Sequence, residues 1–189
     1  MIDEKTLKKL FSQSQKITIS NPNLKKAAVI IPFLKSKDDW LLIFEKKPSS
    51  STTHPDQISF PGGSWEKSDK NFAHTALRET CEELNICGND IELLGPFEPM
   101  RTLTTNFLIY PFGGIVKKQP PYNYNPDEVV KLLFIPFDFF IKNHPFERKN
   151  YSYKGKNRQT FIIEYKGEII WGATARILDK LVQKLKLLL

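Results

Sequence analysis

With 189 residues, 40% of them hydrophobic and 26% charged, the chain has the size and balance of one globular domain with a sizeable core. Its formal net charge of +7 favours anionic partners, phosphorylated small molecules among them, but the sequence carries no aromatic-basic motif of a nucleic-acid module, so specific nucleic-acid binding is not expected. No apolar run approaches the ~20 residues that span a bilayer and no secretory leader is evident, which makes the cytoplasm the default and a membrane partner unexpected.

Asp3 can cap a first helix from Glu4 to about Ser14, with Leu7, Leu10 and Phe11 on one stripe. That helix can pack on its own domain or on a second copy, so a homodimer stays open. Asn21-Pro22-Asn23 reads as a turn, and Ala27–Leu34 and Trp40–Lys46 as strands, the first apolar enough for a central position and limited in pairing by Pro32. Lys47–Thr53 is a polar, breaker-rich loop. A helix spans Ala73–Leu84. Strands follow at Ile91–Glu98 and at Thr104–Val116, the latter interrupted by Pro111 and Gly113-Gly114. After a Pro- and Asn-rich loop, Glu128–Ile135 reads as a strand and Phe137–Ile141 as a short helix. Tyr151–Tyr153 and Thr160–Tyr165 suggest a hairpin, Ile169–Trp171 a last strand, and Ala173–Leu189 an amphipathic helix. This alternation predicts a mixed α/β (α+β) sandwich in a single domain over 1–189, with an N-terminal helical extension over 1–20 and a C-terminal helix over 173–189. Cys81 and Cys87 show no metal-ligand spacing and suggest no disulfide framework; they read as inert thiols.

The chemistry concentrates in the central helix. Glu79, Glu82 and Glu83 lie at i, i+3 and i+4, so helical geometry puts their carboxylates on one face, where like charges repel. A hard divalent cation removes that repulsion, and an all-oxygen ligand set with room for phosphates suits Mg²⁺ or Mn²⁺. Ahead of the helix, Phe60-Pro61-Gly62-Gly63 allows close ligand approach, and the Gly63 carbonyl is a candidate neutral ligand. Arg78, beside Glu79, has Glu66 and Asp69 as candidate partners tying loop to helix.

Together these residues resemble the Nudix box, G-x5-E-x7-R-E-U-x-E-E-x-G-U with U apolar. Departures are Asp69 at the first acidic position, one extra residue before Arg78, Thr80 at an apolar position and Asn85 for the last glycine. The extra residue, His54-Pro-Asp-Gln57 before the loop, and Trp171-Gly-Ala-Thr174 resemble the coenzyme A pyrophosphatase branch of the Nudix hydrolases. The resemblance implies a mixed sheet between helices with a loop-helix-loop metal site. It also implies hydrolysis of coenzyme A or an acyl derivative to 3′,5′-ADP and 4′-phosphopantetheine. Metal would be held by Glu79, Glu82, Glu83 and Gly63, and Arg78 would orient Glu79. The general base is Glu79, Glu82 or Glu128, the last because Asp127-Glu128-Val129 resembles a segment of this branch. His54, Gln57, Phe107 and Lys47 are candidates for the substrate, Lys47 for an outer phosphate. The branch's R-S-x-x-x-R segment is replaced by Lys47, Pro48 and Thr52, and a glycine of its signature by Asp56. Another nucleoside diphosphate derivative (ADP-ribose, NADH, a dinucleotide or a nucleoside triphosphate) therefore stays in view, as does a domain that senses a nucleotide without turnover.

Overall fold

Alternating burial along one long strand organises the molecule. In a computed structural model that describes residues 2–12, 23–37, 39–50, 55–153 and 155–189, β1 (Lys25–Lys35) sends Ala28 and Ile30 to one side of a sheet and Ile31 and Phe33 to the other, all of them buried. On one flank β1 runs parallel to β7 (Phe107–Val116), from Lys25 opposite Phe107 to Leu34 opposite Val116. Its other flank is shared: β4 (Gly62–Ser64) covers Ala27–Val29, and β2 (Trp40–Lys46) covers Phe33–Lys35. Pro32, which has no N–H to give, falls in the gap between those two stretches.

The eight-stranded mixed sheet is completed by β3 (Ile58–Ser59), β5 (Ile91–Pro96), β6 (Met100–Arg101) and β8 (Lys131–Pro136). Its central order is β3-β2-β1-β7-β5, with β8 also on β2 and β6 on β7. A separate antiparallel sheet, β11-β10-β9, comprises β9 (Glu147–Tyr153), β10 (Lys156–Tyr165) and β11 (Glu168–Trp171).

Helices cover both faces of the large sheet. α2 (Phe72–Leu84) packs Ala76 on Ala28 and Ile30. On the other face, α1 (Glu4–Ser12), α3 (Phe137–Lys142) and α4 (Gly172–Lys186) join the main core with Phe33, Trp40 and Phe44. Asp3 caps α1, accepting from the Thr6 N–H at 2.7 Å. Phe11 meets Phe33 and Phe97 edge-on, centroids 6.0 and 5.8 Å apart, with its ring flat over Gly113. A methyl on Gly113 would come within 2.5 Å of that ring, so the glycine is a seat for the helix. The N-terminal helix is thus part of the domain.

Several expectations are corrected. β7 is unbroken through Pro111 and starts at Phe107, because residues 102–106 form a turn in which Asn106 takes φ 58° and the Thr102 hydroxyl accepts from the Phe107 N–H at 2.8 Å. β5 ends at Pro96. β8 begins at Lys131, since Glu128 and Val129 N–H groups turn back onto the Asn125 carbonyl at 3.2 and 2.9 Å. Cys81 and Cys87 are joined in a disulfide, made possible by the reversal at Asn85 (φ 52°) that ends α2. Residues 51–54, and with them His54 and Thr52, lie outside the described residues, as do residues 21 and 22 of the expected turn. Among the described residues no helix is long and apolar enough to cross a membrane.

Candidate active site

α2 starts where Asn71 accepts from the His74 N–H at 2.9 Å and stops at the left-handed Asn85. Between these caps it delivers Arg78, Glu79, Glu82 and Glu83 toward the β4 loop. Arg78 is the fastener. Its Nε and Nη2 hold the two Asp69 oxygens at 3.0 and 3.2 Å, Nη2 also reaches the Ser64 carbonyl at 3.2 Å, and Nη1 reaches Glu82 at 3.1 Å. Glu79 lies 3.0 Å from the same guanidinium. Of the two candidate partners, then, Asp69 carries the salt bridge, while Glu66 supplies its backbone N–H to Asp69 at 3.0 Å. Arg78, joined by that N–H and by His74 and Thr75, holds the Asp69 carboxyl well below the usual carboxylate range.

Glu79 lies flat on Gly63. A Cβ there would sit 2.4 Å from the carboxylate, so no other residue fits without displacing it. Burial pushes Glu79 up to about 7, against the pull of Arg78 and with help from Glu83. Glu83 is buried; it accepts from the Gly62 N–H at 2.8 Å and from the Lys47 ammonium. Burial raises its pKa, and Lys47 opposes the rise.

The sequence reading missed Glu45. Fully buried on β2, it lies 3.0 Å from the Lys47 ammonium and accepts from the Ser59 hydroxyl at 3.2 Å. Its Oε2 is buried without a hydrogen-bond partner among the described residues. Burial and then the neighbouring Glu83 push its pKa well above the usual range. The available signal was one carboxylate directly after the apolar run of the strand WLLIFEK. For Lys47, burial works against the charge, but Glu45 and Glu83 outweigh it and hold the pKa above the ordinary lysine value.

The three helix carboxylates do not converge. Glu79 and Glu83 line one cleft, whereas Glu82, 53% exposed, turns to Arg78 outside it. Among the described residues no three His, Cys, Asp or Glu side chains form a closed metal cage. The donor set nevertheless fits a hard divalent ion: Glu79 and Glu83 are oxygen donors on the wall of one cleft, Gly63 has no side chain to crowd the Glu79 carboxylate, and Glu45, which neighbours Glu83, carries a buried oxygen with no hydrogen-bond partner among the described residues.

That cleft, about 750 Å³, also gathers most of the other candidates. Lys47, Gln57 and Phe107 line it, and Glu128 stands exposed within it on the Asn125–Glu128 turn, its Oε1 accepting from the Asn125 amide at 3.2 Å. Phe107 is half-buried, with the Lys25 ammonium 5.8 Å from its centroid. The rest of the wall comes from Leu103, Ile109, Tyr151, Trp171 and the first turns of α4 through Arg176 and Ile177. Of these, the sequence pointed only to Trp171.

A model of the NUDIX domain matches residues 24–154. The chain is 29% identical over 164 residues to an uncharacterized Nudix hydrolase, NudL, of Photorhabdus laumondii, covering 87% of each chain. It is 28% identical over 157 residues to the NudL of Pectobacterium atrosepticum, covering 83% of this chain and 81% of that one. Among solved structures, a MutT/nudix family protein from Enterococcus faecalis matches 98% of this chain and 75% of its own, with TM-score 0.56 at 11% identity. A C. elegans Ap4A hydrolase matches 61% of this chain and 83% of its own, with TM-score 0.52 at 16% identity. Those likenesses speak to the fold; with the matched domain spanning most of the sequence, the chain belongs to the Nudix hydrolase family.

Proposed function

We propose that this Nudix hydrolase cleaves the diphosphate bond of coenzyme A or an acyl derivative, releasing 3′,5′-ADP and 4′-phosphopantetheine. The observation that carries the reading is a single cleft lined both by Glu79, Glu83 and Gly63 and by the apolar Leu103, Phe107, Ile109 and Trp171. A ligand with an anionic centre and long, partly apolar arms uses both kinds of wall. Members of the family generally use divalent metal ions, and here Glu79, Glu83 and the Gly63 carbonyl are the residues that would hold Mg²⁺ or Mn²⁺, with Glu82 joining them only on leaving Arg78; the ion would neutralise diphosphate oxygens and activate water.

The chain's own groups supply the rest. Glu79, seated on Gly63 beside Arg78, is one candidate to accept a proton from an attacking water. Arg78 fixes its position, and Asp69 fixes Arg78. Glu128, on an exposed turn of the cleft, is the second candidate base. Gln57 and Phe107 are placed to meet the ligand's arms.

A second reading, hydrolysis of another nucleoside diphosphate derivative, is favoured by Lys47: its ammonium is committed to Glu45 and Glu83 instead of being open to an outer phosphate. The deciding experiment is hydrolysis of coenzyme A, dephospho-coenzyme A, ADP-ribose, NADH, a diadenosine polyphosphate and dGTP with Mg²⁺ or Mn²⁺, products resolved by chromatography. Preference for coenzyme A with release of 3′,5′-ADP is the expected result. Preference for another member moves the substrate and keeps the chemistry, while failure to turn over any of them, by folded protein, overturns the enzyme reading of this site.

A further inference from the structure

A cation shared by two buried carboxylates has little charge left for a third anion, and Lys47 is in that position. Cations without a carboxylate partner among the described residues stand on the wall built by β9, β10 and α4. Arg176, on α4, lines the main cleft and also a side cavity of about 220 Å³, together with Arg148, Gln159, Thr160 and Phe161. Its Nη1 donates to the Arg101 carbonyl at 2.8 Å, and no carboxylate among the described residues pairs with it. Burial pushes its pKa below the ordinary arginine value, as expected of a partly desolvated cation with no counter-charge. Arg148 lies over the Phe161 ring, 4.8 Å from its centroid, again with no carboxylate partner among the described residues. Arg158 stands directly across the ladder from Tyr151, a residue of the cleft wall, and its Nε is buried with no partner among the described residues.

Arg176 and Arg148, which share the side cavity, leave positive charge without a carboxylate partner among the described residues, and their planar forks match phosphate oxygens better than a lysine does. The same wall carries Tyr151 and Trp171, so a ligand lying along it reaches the carboxylate end of one continuous cleft. Arg176 and Trp171 lie outside the matched NUDIX segment, residues 24–154, whereas Arg148 and Tyr151 lie within it.

We propose that Arg176, with Arg148 at the side cavity, forms a second anion subsite that binds a phosphomonoester of the substrate remote from the diphosphate that is cleaved. It takes over the outer-phosphate role that Lys47 cannot fill. The inference rests on the diphosphate-hydrolase reading of the cleft, but not on coenzyme A being the substrate.

The test compares ligands that differ by one phosphomonoester: coenzyme A with dephospho-coenzyme A, and NADPH with NADH, by kcat/KM. In parallel, calorimetry compares binding of 3′,5′-ADP with that of 5′-AMP, a readout independent of turnover. In the natural protein the phosphorylated member of a pair is expected to lead by at least about tenfold, the size of one charge-assisted contact. Arg176→Met should bring the ratio close to one, Arg148→Ala should lower it, and Arg176→Lys should keep part of it. If Arg176→Met does not fold, Arg148→Ala, a change at an exposed residue, decides between the outcomes. A natural ratio near one, or a ratio unmoved by both substitutions, overturns the subsite. Coenzyme A turnover with no dependence on either arginine overturns the subsite and leaves the coenzyme A reading standing. Failure to turn over coenzyme A, with an arginine-dependent preference for NADPH and 3′,5′-ADP, supports the subsite and removes coenzyme A.

Discussion

Glu83 accepts one hydrogen bond from the loop and one from Lys47, and its substitution separates charge from shape. In Glu83→Gln almost no volume changes and the amide oxygen can still accept the Gly62 N–H, but the amide nitrogen then faces the Lys47 ammonium, so the fold should be kept with a lowered melting temperature. kcat/KM should nevertheless fall at least about a hundredfold, because a negative metal donor is gone. Near-normal turnover by the folded variant would remove Glu83 from the metal set. Asp69 makes a different prediction. Its folded pKa lies below the unfolded value near ~4, so the stability it contributes is present above pH ~4 and is lost as pH falls through the folded pKa. Asp69→Asn should therefore be less stable at neutral pH, and its stability should fall less on acidification than that of the natural chain, as urea melts at pH 7 and pH 3 would record. Equal acid sensitivity of the two proteins would count against Asp69 as the anchor of Arg78. Glu79, Glu83 and Arg78 were legible because helical spacing fixes which side chains share a face, and Gly63 because a double glycine stands ahead of the helix. Glu45 was not, since one acidic residue in a strand carries no spacing signal. Nor was the outward turn of Glu82, which follows from where Arg78 points once Asp69 holds it.

At the scale of elements, α1 shows what periodicity reveals and where it stops. Its cap and its Leu7, Leu10 and Phe11 stripe could be read directly, but its docking site depends on Gly113, far away in sequence and unmarked as a seat. Phe11→Ala should cost about 3–5 kcal/mol in a denaturant titration, the range for emptying a large buried aromatic site. A loss below about 1 kcal/mol would mean that α1 is loosely attached. Strand starts misread at Thr104 and Glu128 have one cause: in each case asparagine, at 106 or 125, builds a turn that competes with extended backbone. The Cys81–Cys87 bond follows the same pattern, because only the reversal at Asn85 brings the two sulfurs together.

Across the whole molecule, the strands could be listed from sequence but not ordered. β1 and β7 pair in parallel across some eighty residues, and alternation within a strand says nothing about its neighbour; the mixed-sheet topology came from the resemblance alone. The cleft likewise needs the small sheet and α4 as a second wall, contributed by chain far from the box helix. Lys47 gives the assembled site a property that belongs to no single part of it. Its ammonium is a tethered ion, so a divalent cation held at Glu83 would take over that carboxylate in exchange, leaving Lys47 paired with Glu45. A metal that binds the folded chain still stabilises it, but exchange with the ammonium offsets part of that gain, so the melting temperature should rise only modestly when Mn²⁺ replaces a chelator. Lys47→Met should instead lose about 3 kcal/mol or more when chelated and recover a larger part of it with Mn²⁺. A chelated Lys47→Met protein as stable as the natural one would show that the lysine is a bystander, whereas the expected pattern makes it a resident placeholder that keeps the pair of buried acids intact between visits of the metal.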